Sequence, residues 1–301
     1  MQRTKNLGRD LGLQVRMVFT MLLLTFVYLV FSFILFRVTH AGILLVVIPL
    51  GGLFFQYYFS DKIVLSSVGA RIVTDREAPR LVGIVQRLAQ QADVPMPRVA
   101  ISQTPMPNAF ATGRSPKHAV IVVTTGLLQQ LSEPELAAVL GHEMTHIRNR
   151  DMVVMTMAGS FAAVAAWLTQ WMFWFGPGLG GGYGGRRDNN NGAALVMLAT
   201  VLVAIISHML VLALSRYREY AADRGGALLT GQPEQLESAL MRISGTMSRI
   251  PERDLRQAEP LSALFIAAPK RQIVFEFFSD HPTLEHRIAR LQRLSQEMAR
   301  S

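Results

Sequence analysis

Four long stretches of this chain carry no charged residue, and they constrain what it can fold into more than any other feature. Met17–Leu35 ends before Arg37, Ala41–Ser60 ends at Asp61, Met152–Phe175 follows Asp151, and Ala193–Leu214 contains one histidine, His208. About 20 apolar residues cross a hydrocarbon core roughly 30 Å thick, so each run is long enough to span a bilayer as a helix. Pro49-Leu50-Gly51-Gly52 interrupts the second run, where a re-entrant or buried hairpin is the alternative. For the third and fourth runs the alternative is a buried helical hairpin of a soluble domain. The basic leader Arg3, Lys5, Arg9, Arg16 would suit a signal peptide, but the first run is too long and no small-residue cleavage site follows it. We read it as a retained span, giving about four transmembrane helices in two hairpins.

The formal net charge of +9 fits that arrangement. Arg3, Lys5, Arg9 and Arg16 precede the first run, Lys62 follows the second, Arg148 and Arg150 precede the third, and Arg216, Arg218 and Arg224 follow the fourth. The opposite ends hold Arg37, Arg186 and Arg187. The positive-inside rule then predicts both termini and the polar segments 61–150 and 215–301 in the cytoplasm, on a multi-pass protein of the cell inner membrane. Topology and anionic lipid account for the basic excess better than nucleic acid does, and no recognition helix is evident.

Residues 142–146 read His-Glu-Met-Thr-His. Ser132 and Glu135 form a capping-box pattern ahead of Leu136, Ala137, Val139 and Leu140, which places the pentapeptide inside a helix. Residues four apart share a helix face, so His142 and His146 can turn two imidazoles toward one zinc ion while Glu143 holds a water beside it. The chain has no cysteine, so any further ligand must be His, Asp or Glu. A catalytic zinc takes three protein ligands and keeps one position open. Glu219, in Arg218-Glu-Tyr-Ala-Ala-Asp-Arg224, is the best third ligand, and Asp223 one turn later can accept the outer N–H of a ligand histidine. The alternative is an ordinary charged helix face with Glu219 paired to Arg216 or Arg218. A membrane hairpin between residues 151 and 214 would bring Asp151 and Ser215 together and Glu219 toward His146.

The expected fold is α+β, mainly α. Four units follow: a transmembrane hairpin over 1–60, the first half of a zincin-like domain over 61–150, a second hairpin over 151–214, and the second half of that domain over 215–301. Patterning predicts a short strand at Ile63–Leu65, a helix over Ala78–Ala92, strands at Arg98–Ile101, Ala109–Thr112 and Ala119–Thr124, then the zinc helix. Helices are expected over Ser215–Leu229, Gln232–Met247 and Leu284–Met298, with loops at Gly176–Gly192 and Glu252–Pro260. The Gly-rich stretch has neither the preceding strand nor the Lys-Ser/Thr of a nucleotide site.

Taken together, His142-Glu143-x-x-His146, Glu219-x-x-x-Asp223, Ser279-Asp-His-Pro282 with Arg287-Ile288, and Asn108-Ala109-Phe110-Ala111-x-Gly113 resemble the HtpX family of membrane-bound zinc metalloproteases over nearly the whole chain. The resemblance implies one zinc per chain on His142, His146 and Glu219, with Glu143 as general base. It implies that Asn108, Ala109, Phe110, Ala111 and Gly113 form an edge strand that pairs with an extended substrate, a core strand being the alternative. His281 could donate to the oxyanion, although a helix-capping role before Pro282 is equally open. The family's biology implies polypeptide substrates, quality control of misfolded membrane proteins beside an ATP-dependent membrane protease, and a place in stress responses. Competing readings are a prenyl-protein endopeptidase, a catalytically silent membrane scaffold, and a DNA-binding membrane regulator that rests on charge alone.

Overall fold

A computed structural model describes residues 11–39, 44–155, 190–250, 266 and 282–300. The order is α1 (Leu11–Thr39), α2 (Leu44–Ser67), β1 (Ala70–Val73), α3 (Pro79–Ala92), β2 (Arg98–Ser102), β3 (Ala109–Thr112), β4 (Val120–Thr124), α4 (Thr125–Gln130), α5 (Glu133–Arg148), α6 (Asn190–Thr230), α7 (Pro233–Met247) and α8 (Leu284–Arg300). The fold is mainly helical with one small mixed sheet. The expected loops at Gly176–Gly192 and Glu252–Pro260 lie largely or wholly outside the described residues, as does most of the third apolar run. Residues 190–192 already belong to α6.

The four strands run in the order β1-β2-β4-β3. The central β2–β4 pair is parallel, with Arg98 opposite Val120, and β1 and β3 add antiparallel edges. One sheet face (Val99, Ile121, Val123, Ala109) joins a core with Leu81, Ile84, Val85 and Leu88 of α3 and Val139, Leu140, Met144 and Ile147 of α5. The other face (Ala100, Phe110, Val120, Val122) packs on Val64, Leu65 and Val68 at the end of α2.

Two sequence expectations change. Ile63–Leu65 is the penultimate turn of α2, not a strand. Its β-branched residues cover the sheet from a helix, and the first strand starts only after Gly69, at φ 58, reverses the chain. The fourth apolar run and the predicted Ser215–Leu229 helix are one unbroken helix of 41 residues. At 1.5 Å per residue α6 is roughly 60 Å long, about twice what a bilayer core needs. Its stretch Val201–Thr230 is the one among the described residues with the length and apolar character to cross a membrane.

The first, third and fourth apolar runs meet. Leu24 of α1 and Leu214 of α6 are fully buried against each other, with Met17, Met21, Val154, Met155, Leu210 and Val211 around them. Away from that contact Phe19, Leu22 and Phe26 of α1, Phe54 and Phe55 of α2, and Leu198, Leu202 and Ile205 of α6 are exposed.

Candidate metal centre

The capping carboxylate that starts α5 also anchors it. Glu135 Oε2 accepts from the Ser132 N–H (2.9 Å) and hydroxyl (2.7 Å), while Oε1 accepts from the Ser238 hydroxyl (2.6 Å) and lies 2.9 Å from Arg242 Nε on α7. Two turns on, α5 crosses α6 very closely. A Cβ placed on Gly226 would stand 2.6 Å from His142 N, so only glycine admits this approach. His142 and His146 then face Glu219 of α6. Their Nε2 atoms are 3.1 Å apart, and the Glu219 oxygens lie 3.6 Å from His142 Nε2 and 3.4 Å from His146 Nε2. The three ligand atoms sit within 4.8 Å of one another, all buried.

Each imidazole is held from behind. His142 Nδ1 is 2.9 Å from Asp223 Oδ1, and His146 Nδ1 is 2.7 Å from Asp151 Oδ2. Carboxylates there keep the proton on Nδ1 and leave Nε2 free to face inward. Arg150 adopts φ 58 just before Asp151 and turns that side chain back onto His146. The wholly buried Arg287 donates from Nε (2.8 Å) and Nη2 (2.6 Å) to Asp223, and its Nη1 lies 3.6 Å from Glu219. The same Nη1 donates to the Ile266 carbonyl, and the Ile266 N–H donates to Asn108 Oδ1 at 3.0 Å. Arg218 Nε lies 3.4 Å from Asp151.

Acidic groups outnumber guanidiniums around this pocket. Glu143, Asp151, Glu219 and Asp223 are buried, and of the neighbouring bases only Arg218 and Arg287 are fixed positive charges. The protonation preferences agree. Burial works against a charged His142, but Asp223 and Glu219 outweigh it and raise its pKa. Burial opposes charge on His146 as well, yet Asp151 and Glu219 push it up to about 10. The carboxylates thus draw positive charge towards the ligand histidines. The borderline-soft imidazole and carboxylate donors suit zinc. Burial raises Glu143, with Glu219 adding to the rise and the two imidazoles opposing it. Burial alone would lower Arg287, and Asp223 reverses that and holds it above its ordinary value.

β3 runs beside the metal cluster. In the antiparallel β3–β4 ladder, Asn108 C=O accepts from Thr124 N–H, so residues 108, 110 and 112 face β4. Ala109 and Ala111 therefore turn their backbone groups to the sheet edge. There the Ala111 N–H donates to Glu143 Oε2 at 2.9 Å. Phe110 sends its side chain to the opposite face, onto α2. Gly113 lies just past the strand at φ 128, where a Cβ would strike the His118 carbonyl oxygen at 2.4 Å. The structure thus brings together His142, Glu143, His146, Glu219, Asp223, Asn108 and Ala111. His281 lies outside the described residues. Sequence reasoning missed Asp151, Arg218 and Ile266 as parts of the site. Asp151 gave one signal, as the sole carboxylate between the motif and the third apolar run.

Residues 75–295 match the family described as Peptidase family M48. The chain is 54% identical to a "Protease HtpX homolog" of Moorella thermoacetica, covering 98% of both chains. It is 49% identical to "Protease HtpX homolog 2" of Methanosarcina mazei (97% of this chain, 98% of the relative) and 46% identical to the Pyrococcus furiosus "Protease HtpX homolog" (81% and 83%). Its fold is similar to the crystal structure of S. mikatae Ste24p, with a TM-score of 0.53 at 16% identity, covering 93% of this chain and 66% of that one.

Proposed function

This chain belongs to the HtpX proteases of peptidase family M48, and from that premise we propose that it hydrolyses internal peptide bonds of misfolded or damaged membrane proteins at the cytoplasmic face of the cell inner membrane. Family membership makes it a membrane zinc metalloprotease. The zinc ligands in this reading are His142, His146 and Glu219, with Glu143 as base. The observation that carries it is the convergence of three buried ligand atoms from two helices, with Glu143 hydrogen-bonded to an edge strand beside them.

A zinc ion on these ligands supplies a Lewis acid and brings the pKa of a bound water down toward about 7. The chain's own residues do the rest. Glu143, sheltered from bulk water, takes the proton of the attacking water on its carboxylate and delivers it to the leaving amine. Asp151 and Asp223 keep both imidazoles in one tautomer and one orientation. Arg287 fixes Asp223 through two hydrogen bonds and partly neutralises Glu219. Ala109, and Ala111 through its carbonyl, offer backbone groups to an extended peptide, which adds to the sheet as a fifth strand. That docking places a peptide bond against Glu143 because the base already touches Ala111.

Membrane anchoring by both hairpins is supported by the exposed apolar faces of α1, α2 and α6. The meeting of runs one, three and four at their basic-flanked ends supports a cytoplasmic protease domain. An intact Glu143 gives no support to a silent scaffold. Bound zinc, measured in wild type and Glu219→Ala, with casein cleavage followed with and without chelator, tests the reading. We expect about one zinc per wild-type chain and a metal-poor, inactive variant. A Glu219→Ala protein with full zinc and full cleavage overturns the ligand assignment.

A further inference from the structure

We propose that this active site is placed to cut peptide bonds lying within about ten residues of a substrate's own transmembrane span, on the cytoplasmic side. The proposal rests on the reading above and names the substrate segment. Three independent parts of the chain set the height of the site above the bilayer.

First, Glu219 is five residues beyond Leu214, the last residue of the fourth apolar run, in the same unbroken helix. At 1.5 Å per residue it stands roughly 8 Å above the end of that run. Second, Asp151, which holds His146, immediately precedes Met152, where the third run begins. Third, the substrate edge is tied to the end of the second run. Arg114 Nη1 donates to the Tyr58 carbonyl at 3.2 Å and its guanidinium lies 4.4 Å from the centre of the Tyr58 ring. Beside it Phe59 carries Lys62 over its ring, and Asp61 meets Arg98 at 2.7 Å at the start of β2.

Tyrosine backed by Arg and Lys at the end of an apolar helix marks the headgroup level. Phe54 and Phe55, one turn deeper, are 69% and 59% exposed, as lipid-facing side chains are. Arg114 is three residues from Ala111, whose N–H touches Glu143. Even a fully extended chain spans no more than about 3.6 Å per residue, so Ala111, which the base touches, lies within roughly 11 Å of the Arg114 backbone. The helix distance on the metal side and the chain distance on the substrate side are therefore similar, and Asp151 beside Met152 keeps the second imidazole near the start of the third run.

A substrate helix packed beside these spans is offset by about one helix diameter, 10–12 Å. A chain leaving its end needs about six extended residues to cover both distances. A site raised 30 Å or more above the bilayer would need at least ten.

The test uses the full-length zinc enzyme in lipid vesicles. Its substrates carry one transmembrane helix followed by a fixed cleavable sequence, with spacers of 2, 4, 6, 8, 12, 16 and 24 residues; these lengths follow from about 3.3 Å per residue. Cut bonds are mapped by mass spectrometry on products whose span still sediments with the vesicles. We expect half-maximal rates with a spacer below ten. A requirement for ten or more overturns the proposal while leaving the peptidase intact. Casein cleavage in parallel separates the two, since loss of casein and spacer substrates alike counts against the site assignment itself and overturns both.

Discussion

At the scale of single residues, the centre is a set of hydrogen bonds that leaves each group one thing to do. Glu143 is the clearest case, because its buried carboxylate has the Ala111 N–H as its hydrogen-bond partner and the two imidazoles as neighbours. Glu143→Gln keeps the shape and the metal ligands, so cleavage should fall by about 10²- to 10⁴-fold with zinc content unchanged. Casein turnover and metal content on the same preparation check this, and wild-type turnover would remove Glu143 from the reaction. Asp151 acts one step further back. Asp151→Ala removes the acceptor on His146 Nδ1 and should weaken zinc binding by about 10- to 100-fold, read by competition with a chelating dye. Asp151→Asn, which retains an acceptor oxygen, should recover part of that loss. Asp223 was legible from the sequence and Asp151 was not. Asp223 falls one helical turn after Glu219, so periodicity puts it on the right face. Asp151 reaches His146 only because Arg150 takes a left-handed backbone conformation, and no pattern of residue types announces that.

Among the elements, the crossing of α5 and α6 carries the site. Gly225 and Gly226 let the two backbones approach until a methyl at Gly226 would overlap His142 N and Cα. Gly226→Ala must therefore push the helices apart and draw Glu219 away from the imidazoles. Overpacking costs roughly 1–3 kcal/mol, so we expect a lower melting temperature and weaker zinc binding together, in thermal melts with and without zinc. An unchanged zinc affinity would show that the ligands do not depend on this crossing. Glu135 joins α5 to α7 by a different means. Burial raises its pKa, but hydrogen bonds from Ser238 and Ser132 and the charge of Arg242 outweigh that and leave it lowered. A carboxylate with a depressed folded-state pKa stabilises the fold above its unfolded value, and loses that contribution as pH falls through the folded one. Glu135→Gln should cost about 1–3 kcal/mol near pH 7, and the gap from wild type should begin to narrow as pH falls below about 4.3 and go on narrowing towards the lower folded-state value. A gap that does not narrow as the pH is lowered would mean the loss is one of packing. The sequence showed the longer helices and three of the four strands, but not the six-residue α4. It did not show that residues 63–65 stay helical, because Ile-Val-Leu suits either state and the deciding contact is with the sheet's outer face. It also did not join the fourth run to the following helix, because composition changes at Ser215 while the backbone does not.

For the whole molecule, the question is on which side of the bilayer each part lies. The apolar surface leaves little choice about burial in lipid. Phe19, Leu22 and Phe26 of α1 and Leu198, Leu202 and Ile205 of α6 are all exposed, and leaving such side chains in water costs about 1.5–3 kcal/mol each. The contact of Leu24, Val154 and Leu214 bears on sidedness. The same cluster takes in Met17 next to Arg16, while Val154 and Leu214 lie near Arg150 and Arg216, so on the proposed topology one face of the membrane holds all three basic ends and the site beside them. The connection between the third and fourth runs must then lie on the opposite face if both runs span. The absence of native cysteine makes this directly measurable. A single cysteine at exposed Ser248, just beyond α7, should react with an impermeant maleimide only when the cytoplasmic face is open. One at Asn189, in the Gly- and Asn-rich connection, should react only from the other face. Opposite accessibility establishes two crossings between residues 151 and 214. Labelling of both from the cytoplasmic face would make those runs a hairpin that enters and leaves on one side. The height of Glu219 above the bilayer would then have to be measured from the end of α2 alone.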